Sequence, residues 1–133
     1  MRYSIKRLRD LTPARWSGGS TTELFLFPEG AANTERNFEI RISTATVETE
    51  GSVFSDYTGY ERHIAPLSGT MRIEHEGHQG ADLRPGETHD FDGGWITRSY
   101  GICVDFNLAH RPNWRGSMLF FAENSALPLV TEG

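Results

Sequence analysis

The sequence contains a single cysteine, no apolar run long enough to cross a membrane and no excess of basic side chains. The lone Cys103 cannot form a disulfide within the chain, which is typical of a protein from a reducing compartment. The first residues, MRYSIKRLRDL, are basic but lack the apolar stretch that a signal peptide requires. These absences predict a cytoplasmic protein that is neither inserted in nor anchored to a membrane.

The charge balance is acidic. Thirteen Lys and Arg stand against 18 Asp and Glu, which gives a formal net charge of -5 at pH 7. The basic residues are scattered along the chain, whereas binding to a nucleic-acid backbone requires clustered Lys and Arg. We therefore predict no nucleic-acid partner, while a local basic pocket for a small anion remains compatible with the sequence.

The length and composition are those of one folded domain. With 133 residues, of which 37% are hydrophobic and 23% charged, the chain lies outside the range typical of disorder. A chain of this size hides roughly two thirds of the surface that its unfolded form exposes. We predict a single domain that spans residues 1–133.

Alternating hydrophobicity predicts strands rather than helices. In FEIRISTATV, Phe38 to Val47, apolar and polar residues alternate with a period of two. Shorter strands are predicted at Glu23–Phe27, Arg62–Leu67, Thr70–His75, Trp95–Tyr100 and Ile102–Leu108. Turn residues separate them at intervals of roughly 8 to 15 residues. This spacing predicts an all-β sandwich, barrel or jelly roll of antiparallel strands with little helix.

The sequence shows no metal site. The segment from Gly51 to Gly69 contains only His63, and His89 follows Pro85-Gly86 as a lone imidazole. Zinc and iron require three or four protein ligands, so no metal and no other cofactor is predicted. We expect His75 and His78 to be solvated at a hairpin tip.

No catalytic residue is predicted either. Cys103 lies within an apolar strand, where a thiol is usually buried and unreactive. The serines lack the context of a nucleophile elbow. The glycines of SGGS precede a strand rather than a helix, so they do not form a phosphate loop.

Four phrases of the sequence follow one another in a fixed order. They are RWSGGSTTELFLFP, RNFEIRISTATVETEGSVFSDYTGYERHIAPLSG, HDFDGGW and VDFNLAHR. Together they resemble the HutD/Ves family of cupin-like proteins over about residues 11 to 111. That family shows a W(x)NGGGTTxE-type opening, an F-x-WRIS-x-A-x-V strand, a G-x-FS-x-x-PG-x-xR segment, an L-x-G hairpin and a DFNLM strand. This chain departs from the pattern at Ser17, Ser20, Ile40 and Thr58. The resemblance implies a cupin-like jelly-roll β-barrel.

The resemblance also implies a function. HutD-type proteins are associated with histidine utilisation and with binding of a small pathway metabolite, and Ves-type proteins with stress responses. We expect a non-catalytic protein that binds a small anionic metabolite, a carboxylate, in a metal-free barrel pocket and has a regulatory or accessory role. Two alternatives stay open. One is a metal-dependent cupin enzyme of the isomerase or dioxygenase type, and the other is a structural or interaction protein whose barrel is filled by side chains.

Arg62 is the first candidate for ligand binding. It matches the arginine of the family's PGxxR segment, and a guanidinium can bind a carboxylate through two parallel hydrogen bonds. A salt bridge at the barrel rim with Glu61 or another nearby acid is the alternative role for Arg62.

The other candidates come from strand alternation and from the opening phrase. Asp105 and Asn107 share one face of VDFNL, and Arg41 and Ser43 share one face of the long strand. For each pair, that face is either the wall of a pocket or a surface exposed to solvent. Trp16 is a pocket lid or a plug for the barrel end. Thr21, Thr22 and Glu23 supply polar groups at the same rim, and of these we expect Thr22 and Glu23 to bind the ligand. Open β edges predict a homodimer.

Overall fold

A computed structural model describes residues 11–121 and 125–133 of the chain. The basic segment of residues 1–10 lies outside the described residues. The described part forms strands and contains no helix, and so none that is long and apolar enough to cross a membrane. The strands are β1 (Ala14–Trp16), β2 (Gly19–Phe27), β3 (Ile40–Val47), β4 (Gly51–Val53), β5 (Glu61–Gly69), β6 (Met71–His75), β7 (His78–Leu83), β8 (His89–Asp92), β9 (Thr97–Tyr100), β10 (Cys103–His110), β11 (Trp114–Phe121) and β12 (Ser125–Glu132).

All strand pairs are antiparallel. A six-stranded sheet has the order β1-β2-β3-β10-β5-β8, a four-stranded sheet has the order β4-β9-β6-β7, and β11 and β12 form a separate hairpin. A hydrophobic core joins the two sheets, with Val47 and Ile64 from the larger sheet packed with Ile73 and Leu83 from the smaller. The predicted all-β fold with little helix is therefore confirmed.

Each of the six predicted strands corresponds to an observed one, with shifts of a few residues at the ends. The long strand begins at Ile40 rather than Phe38, and the predicted Glu23–Phe27 strand begins at Gly19. Six further strands lie outside these ranges. Of these, β1, β4 and β8 have three or four residues, too few to show a period, and β7 is largely polar.

The alternation along β3 and β10 gives the larger sheet two different faces. Ile40 and Leu108 belong to a second core, which the β11–β12 hairpin covers through Met118. Arg41, Ser43, Asp105 and Asn107 point to the opposite face, toward the smaller sheet. The register pairs Asn107 with Ser43, so polar side chains of adjacent strands meet on that face.

A third apolar cluster fixes the loop before β5. Tyr60 is 2% exposed, stacks on Phe38 with ring centroids 4.4 Å apart and donates its hydroxyl hydrogen to the Phe38 carbonyl at 2.7 Å. The backbone of Tyr57 approaches Gly93 so closely that a Cβ added there would lie 2.5 Å from the Tyr57 carbonyl oxygen. This contact requires a glycine and holds the Tyr57 ring at the edge of the larger sheet.

Candidate functional site

A cavity of about 650 Å³ lies between the larger sheet and the segment that carries β4 and the following loop. Its walls come from β1 to β5, β10 and the loops beside them. The lining includes Trp16, Thr21, Glu23, Arg41, Ser43, Phe54, Tyr57, Arg62, Asp105 and Asn107. The described residues therefore leave an open space in the sandwich, lined by charged, amide and aromatic side chains.

The structure brings seven of the eight candidate residues to this cavity. The exception is Thr22, which is 8% exposed and does not line it, whereas Thr21 and Glu23 do. Successive side chains of a strand point to opposite faces, so Thr22 is turned to the other side of β2. Thr21 takes the place that the sequence interpretation gave to Thr22.

The guanidinium of Arg62 lies among three aromatic rings. Its central carbon is 4.8 Å from the ring centre of Tyr57, 5.1 Å from that of Phe54 and 5.2 Å from that of Phe91. Nη2 donates to Oδ1 of Asn107 at 3.2 Å. Among the described residues, Nε and Nη1 have no hydrogen-bond partner. Neither atom is fully buried, so both are accessible. These donors therefore remain available to the cavity.

The environment of Arg62 is partly desolvated. Burial lowers the pKa of Arg62 to about 10, which leaves the guanidinium charged at neutral pH. The alternative rim salt bridge with Glu61 is not formed, because the Glu61 carboxylate instead lies 3.7 Å from Nε2 of His110 on the opposite face of the sheet.

Asp105 is the most buried ionisable group of the cavity wall, with 3% exposure. Burial raises the pKa of Asp105 to about 7, against the opposing effects of the Asn107 hydrogen bond and the Arg62 charge. Asn107 donates through Nδ2 to Oδ1 of Asp105 while its own Oδ1 accepts from Arg62. The Asn107 amide therefore bridges the guanidinium and the buried carboxyl.

Arg41 is the second cation of the cavity, and protein groups already engage it. Nε donates to Oε1 of Glu23 at 3.0 Å, and Nη1 donates to the Tyr57 hydroxyl at 3.3 Å and to Oγ of Ser43 at 3.5 Å. The Tyr57 hydroxyl in turn donates to Oδ1 of Asn33 at 2.7 Å. Glu23 balances Arg41, and Glu48 pairs with Arg15, the third arginine of the lining. The lining guanidinium without a carboxylate partner among the described residues is therefore that of Arg62.

Trp16 combines the two roles considered for it. Its indole N–H donates to the Thr21 hydroxyl at 3.1 Å, and the ring packs against the core that joins the sheets. The side chain also lines the cavity. Trp16 thus forms one wall near β1 and leaves the cavity open.

The expectation that His75 is solvated is wrong. His75 is 5% exposed, and its Nε2 lies 2.9 Å from Nε2 of His89. The Thr97 hydroxyl donates to the Trp95 carbonyl, so Nδ1–H of His75 must donate to Thr97 Oγ1 and Nε2 of His75 must accept from His89. Burial lowers the pKa of His75 to about 4, which matches this neutral tautomer. His78 is exposed, as expected, and stacks on Trp95.

The cavity residues do not fit a metal ion of the kind that cupin folds commonly hold. The cavity lining contains no histidine and carries three guanidiniums, those of Arg15, Arg41 and Arg62. Across residues 11–121 and 125–133, no group of three or more His, Cys, Asp or Glu side chains is arranged to hold a metal. His63 and His110 form a second pair, with Nε2 atoms 2.9 Å apart, on the opposite face of the sheet.

Comparison with solved structures identifies the class of the fold first. Ectoine synthase from P. lautus superposes with a TM-score of 0.63 at 13% identity, over 82% of this chain and 78% of that one. A likeness at this identity concerns the fold alone, and the fold is that of the cupin-like jelly rolls.

The family follows from the sequence. Residues 8–132 match HutD, and the chain belongs to the HutD family. The conserved protein of unknown function PA5104 from Pseudomonas aeruginosa PAO1 is 30% identical, with a TM-score of 0.76 over 91% of this chain and 64% of that one. HutD from Pseudomonas fluorescens SBW25 is 26% identical, with a TM-score of 0.73 over 90% of this chain and 67% of that one. The chain thus spans just under two thirds of the length of the Pseudomonas aeruginosa protein. No curated protein sequence matches it.

Proposed function

We propose that the chain binds a small carboxylate in the cavity and that Arg62 is the residue that holds the carboxylate. The observation that carries this proposal is the state of the Arg62 guanidinium. Among the described residues it uses Nη2 on a neutral amide and has no carboxylate partner, while Nε and Nη1 remain open to the cavity. A guanidinium offers a carboxylate two forks of parallel N–H groups, Nε–H with one Nη2–H and Nη1–H with the other Nη2–H, and the single bond to Asn107 occupies only one of them.

The size and the charge of the cavity support the same proposal. Small-molecule sites commonly have volumes of about 300–1,000 Å³ and combine apolar walls with a few polar groups. Phe54, Tyr57 and Trp16 supply aromatic wall here. With Arg41 balanced by Glu23, the positive charge of Arg62 favours an anion over a neutral or cationic ligand.

Membership of the HutD family supports an accessory or regulatory role in histidine utilisation, with the bound carboxylate as a metabolite whose level is sensed. We propose this role as a non-catalytic one, exercised in the cytoplasm. The one thiol of the described residues supports this, since Cys103 is buried, does not line the cavity and has a pKa that burial raises to about 12.

A homodimer is part of the proposal. The strands β1, β8, β4 and β7 end their sheets within the described part of the chain, and edge strands present unpaired backbone groups to a partner. Light scattering coupled to size-exclusion chromatography tests this point, and a monomeric mass across a hundredfold range of concentration would contradict it.

A thermal-shift screen of small carboxylates tests the binding function. Formate, acetate and the acids of histidine degradation are suitable probes, because a ligand at 100 times its Kd adds about 2.7 kcal/mol of stability. Arg62→Ala should abolish the shift. Arg72→Ala is the matched control, since Arg72 pairs with Asp82 outside the cavity and its removal should leave the shift intact.

Two outcomes would contradict the proposal. Wild-type protein that no carboxylate stabilises would favour a structural or interaction role. Stoichiometric zinc, iron or manganese in protein purified without a histidine tag, lost on His89→Ala, would instead favour a metal-dependent enzyme.

A further inference from the structure

Asp105 is a buried carboxyl without an ion-pair partner. It lines the cavity and is 3% exposed. No Lys, Arg or His of the described residues forms a salt bridge with it, and its side-chain hydrogen-bond partner is the Asn107 amide. A buried carboxylate that lacks a cationic partner is unfavourable, and such a group tends to take up a proton.

We propose that the cavity takes up its carboxylate ligand together with one proton, which Asp105 binds, so that affinity for the anion falls as the pH rises through neutrality. This inference rests on the proposed function, because it concerns the same cavity and the same Arg62. It adds that the ligand binds as an anion while Asp105 takes up a proton from solution.

The physical reason is the link between Asp105 and Arg62. Asn107 accepts from the guanidinium and donates to the carboxyl, so one amide separates the two groups. A carboxylate bound to Arg62 offsets the positive charge that favours ionised Asp105 and places a second negative charge nearby. It also displaces water from the cavity. All three effects favour the neutral acid.

The other groups that face Asp105 do not supply the missing charge. Arg41 on β3 is paired with Glu23 on β2, and the Tyr57 hydroxyl donates to Asn33. Cys103 on the same strand has a thiol whose pKa burial raises to about 12, so it carries no charge near neutrality. The pKa of Asp105, raised by burial to about 7, places its titration where a small perturbation changes its charge.

Isothermal titration with formate at pH 6 and pH 8 tests the proposal, because formate stays ionised across this range. If the anion binds only when Asp105 is protonated, and Asp105 titrates near pH 7, the affinity should be about tenfold weaker at pH 8 than at pH 6. Binding at pH 8 should also take up a proton, seen as a dependence of the heat on the ionisation enthalpy of the buffer. In Asp105→Asn, which is neutral at both pH values, the affinity should not change with pH. Asp82→Asn, at an exposed site outside the cavity, should behave as wild type.

A measurement on wild-type protein covers the case in which Asp105→Asn does not fold. The carbon-13 resonance of the Asp105 carboxyl should titrate near pH 7 without ligand and at a higher pH with saturating formate. Formate binding with a pH-independent Kd, or an Asp105 titration that formate does not move, would overturn this inference alone. Absence of binding at both pH values for formate and for every other carboxylate of the thermal-shift screen would contradict the proposed function as well.

Discussion

Arg62 and Asn107 lie on adjacent strands of the larger sheet, and Nη2 of the arginine donates to Oδ1 of the amide at 3.2 Å. The partner that holds the guanidinium is therefore neutral. A carboxylate at this position would orient Arg62 equally well but would neutralise its charge. The neutral amide orients the arginine and leaves the charge for a ligand.

This relationship gives a first prediction, for Asn107→Asp. The new carboxylate would form an ion pair with Arg62, so we expect formate binding at pH 7 to weaken at least tenfold, a change of about 1.4 kcal/mol. Isothermal titration measures the effect, and circular dichroism checks that the variant is folded. An affinity equal to that of wild type would mean that Arg62 does not hold the anion.

A second prediction concerns the stability of Asp105→Asn. The pKa of Asp105 is raised to about 7 from an ordinary value of 3.8, so the folded state retains a proton that the unfolded state loses between these values. The contribution of Asp105 to folding stability therefore falls as the pH rises from about 4 to 7. The difference amounts to at most about 4 kcal/mol, at ~1.4 kcal/mol for each pKa unit. In urea unfolding, Asp105→Asn should be more stable than wild type at pH 8, and the difference should be small at pH 4. An equal difference at both pH values would contradict a raised pKa of Asp105.

A third prediction concerns His75 in acid. The pKa of His75 is lowered to about 4, mainly by burial and also by His89, from an ordinary value of 6.5. The unfolded state binds the proton first, so the stability that neutral His75 contributes is present above pH 6.5 and is lost as the pH falls toward 4. Relative to wild type, His75→Phe should therefore gain stability in urea unfolding as the pH falls from 7 to 4.5. The control His78→Ala alters an exposed ring and should keep the wild-type profile.

A fourth prediction concerns Cys103. Burial raises its pKa to about 12, with a further contribution from Asp105, and the thiol is therefore neutral at pH 8. Only the thiolate is nucleophilic, so Ellman's reagent should not label the native protein and should label one thiol per chain in urea. Complete labelling of native protein within minutes would show that the strand opens or that the thiol is exposed.

The sequence carried most of the information about the sheet faces. The alternation in Phe38–Val47 and in VDFNL correctly separates Arg41 and Ser43, and Asp105 and Asn107, from the apolar side chains of β3 and β10. The same rule applied to the opening phrase would have selected Thr21 in place of Thr22. Thr21 and Thr22 are neighbours on opposite faces of β2, so they do not form one group at the rim.

The parts that sequence could not provide depend on contacts between distant segments. Tyr57 and Phe54 reach the cavity from a loop whose path is fixed by the close approach of Gly93, and no periodic pattern encodes that path. The pairing of His75 with His89 joins β6 to β8, two strands of different sheets. Its members appear as separate, ordinary histidines in the sequence.

A structure of the protein with formate bound, determined at high resolution near pH 6, tests the central claim most directly. The account predicts two carboxylate oxygens about 2.7–2.9 Å from Arg62, one at Nη2 and the other at Nε or Nη1, with Asn107 still bonded to the second hydrogen of Nη2. Formate found elsewhere in the cavity, or a cavity that holds only water around Arg62 at saturating formate, would contradict the claim.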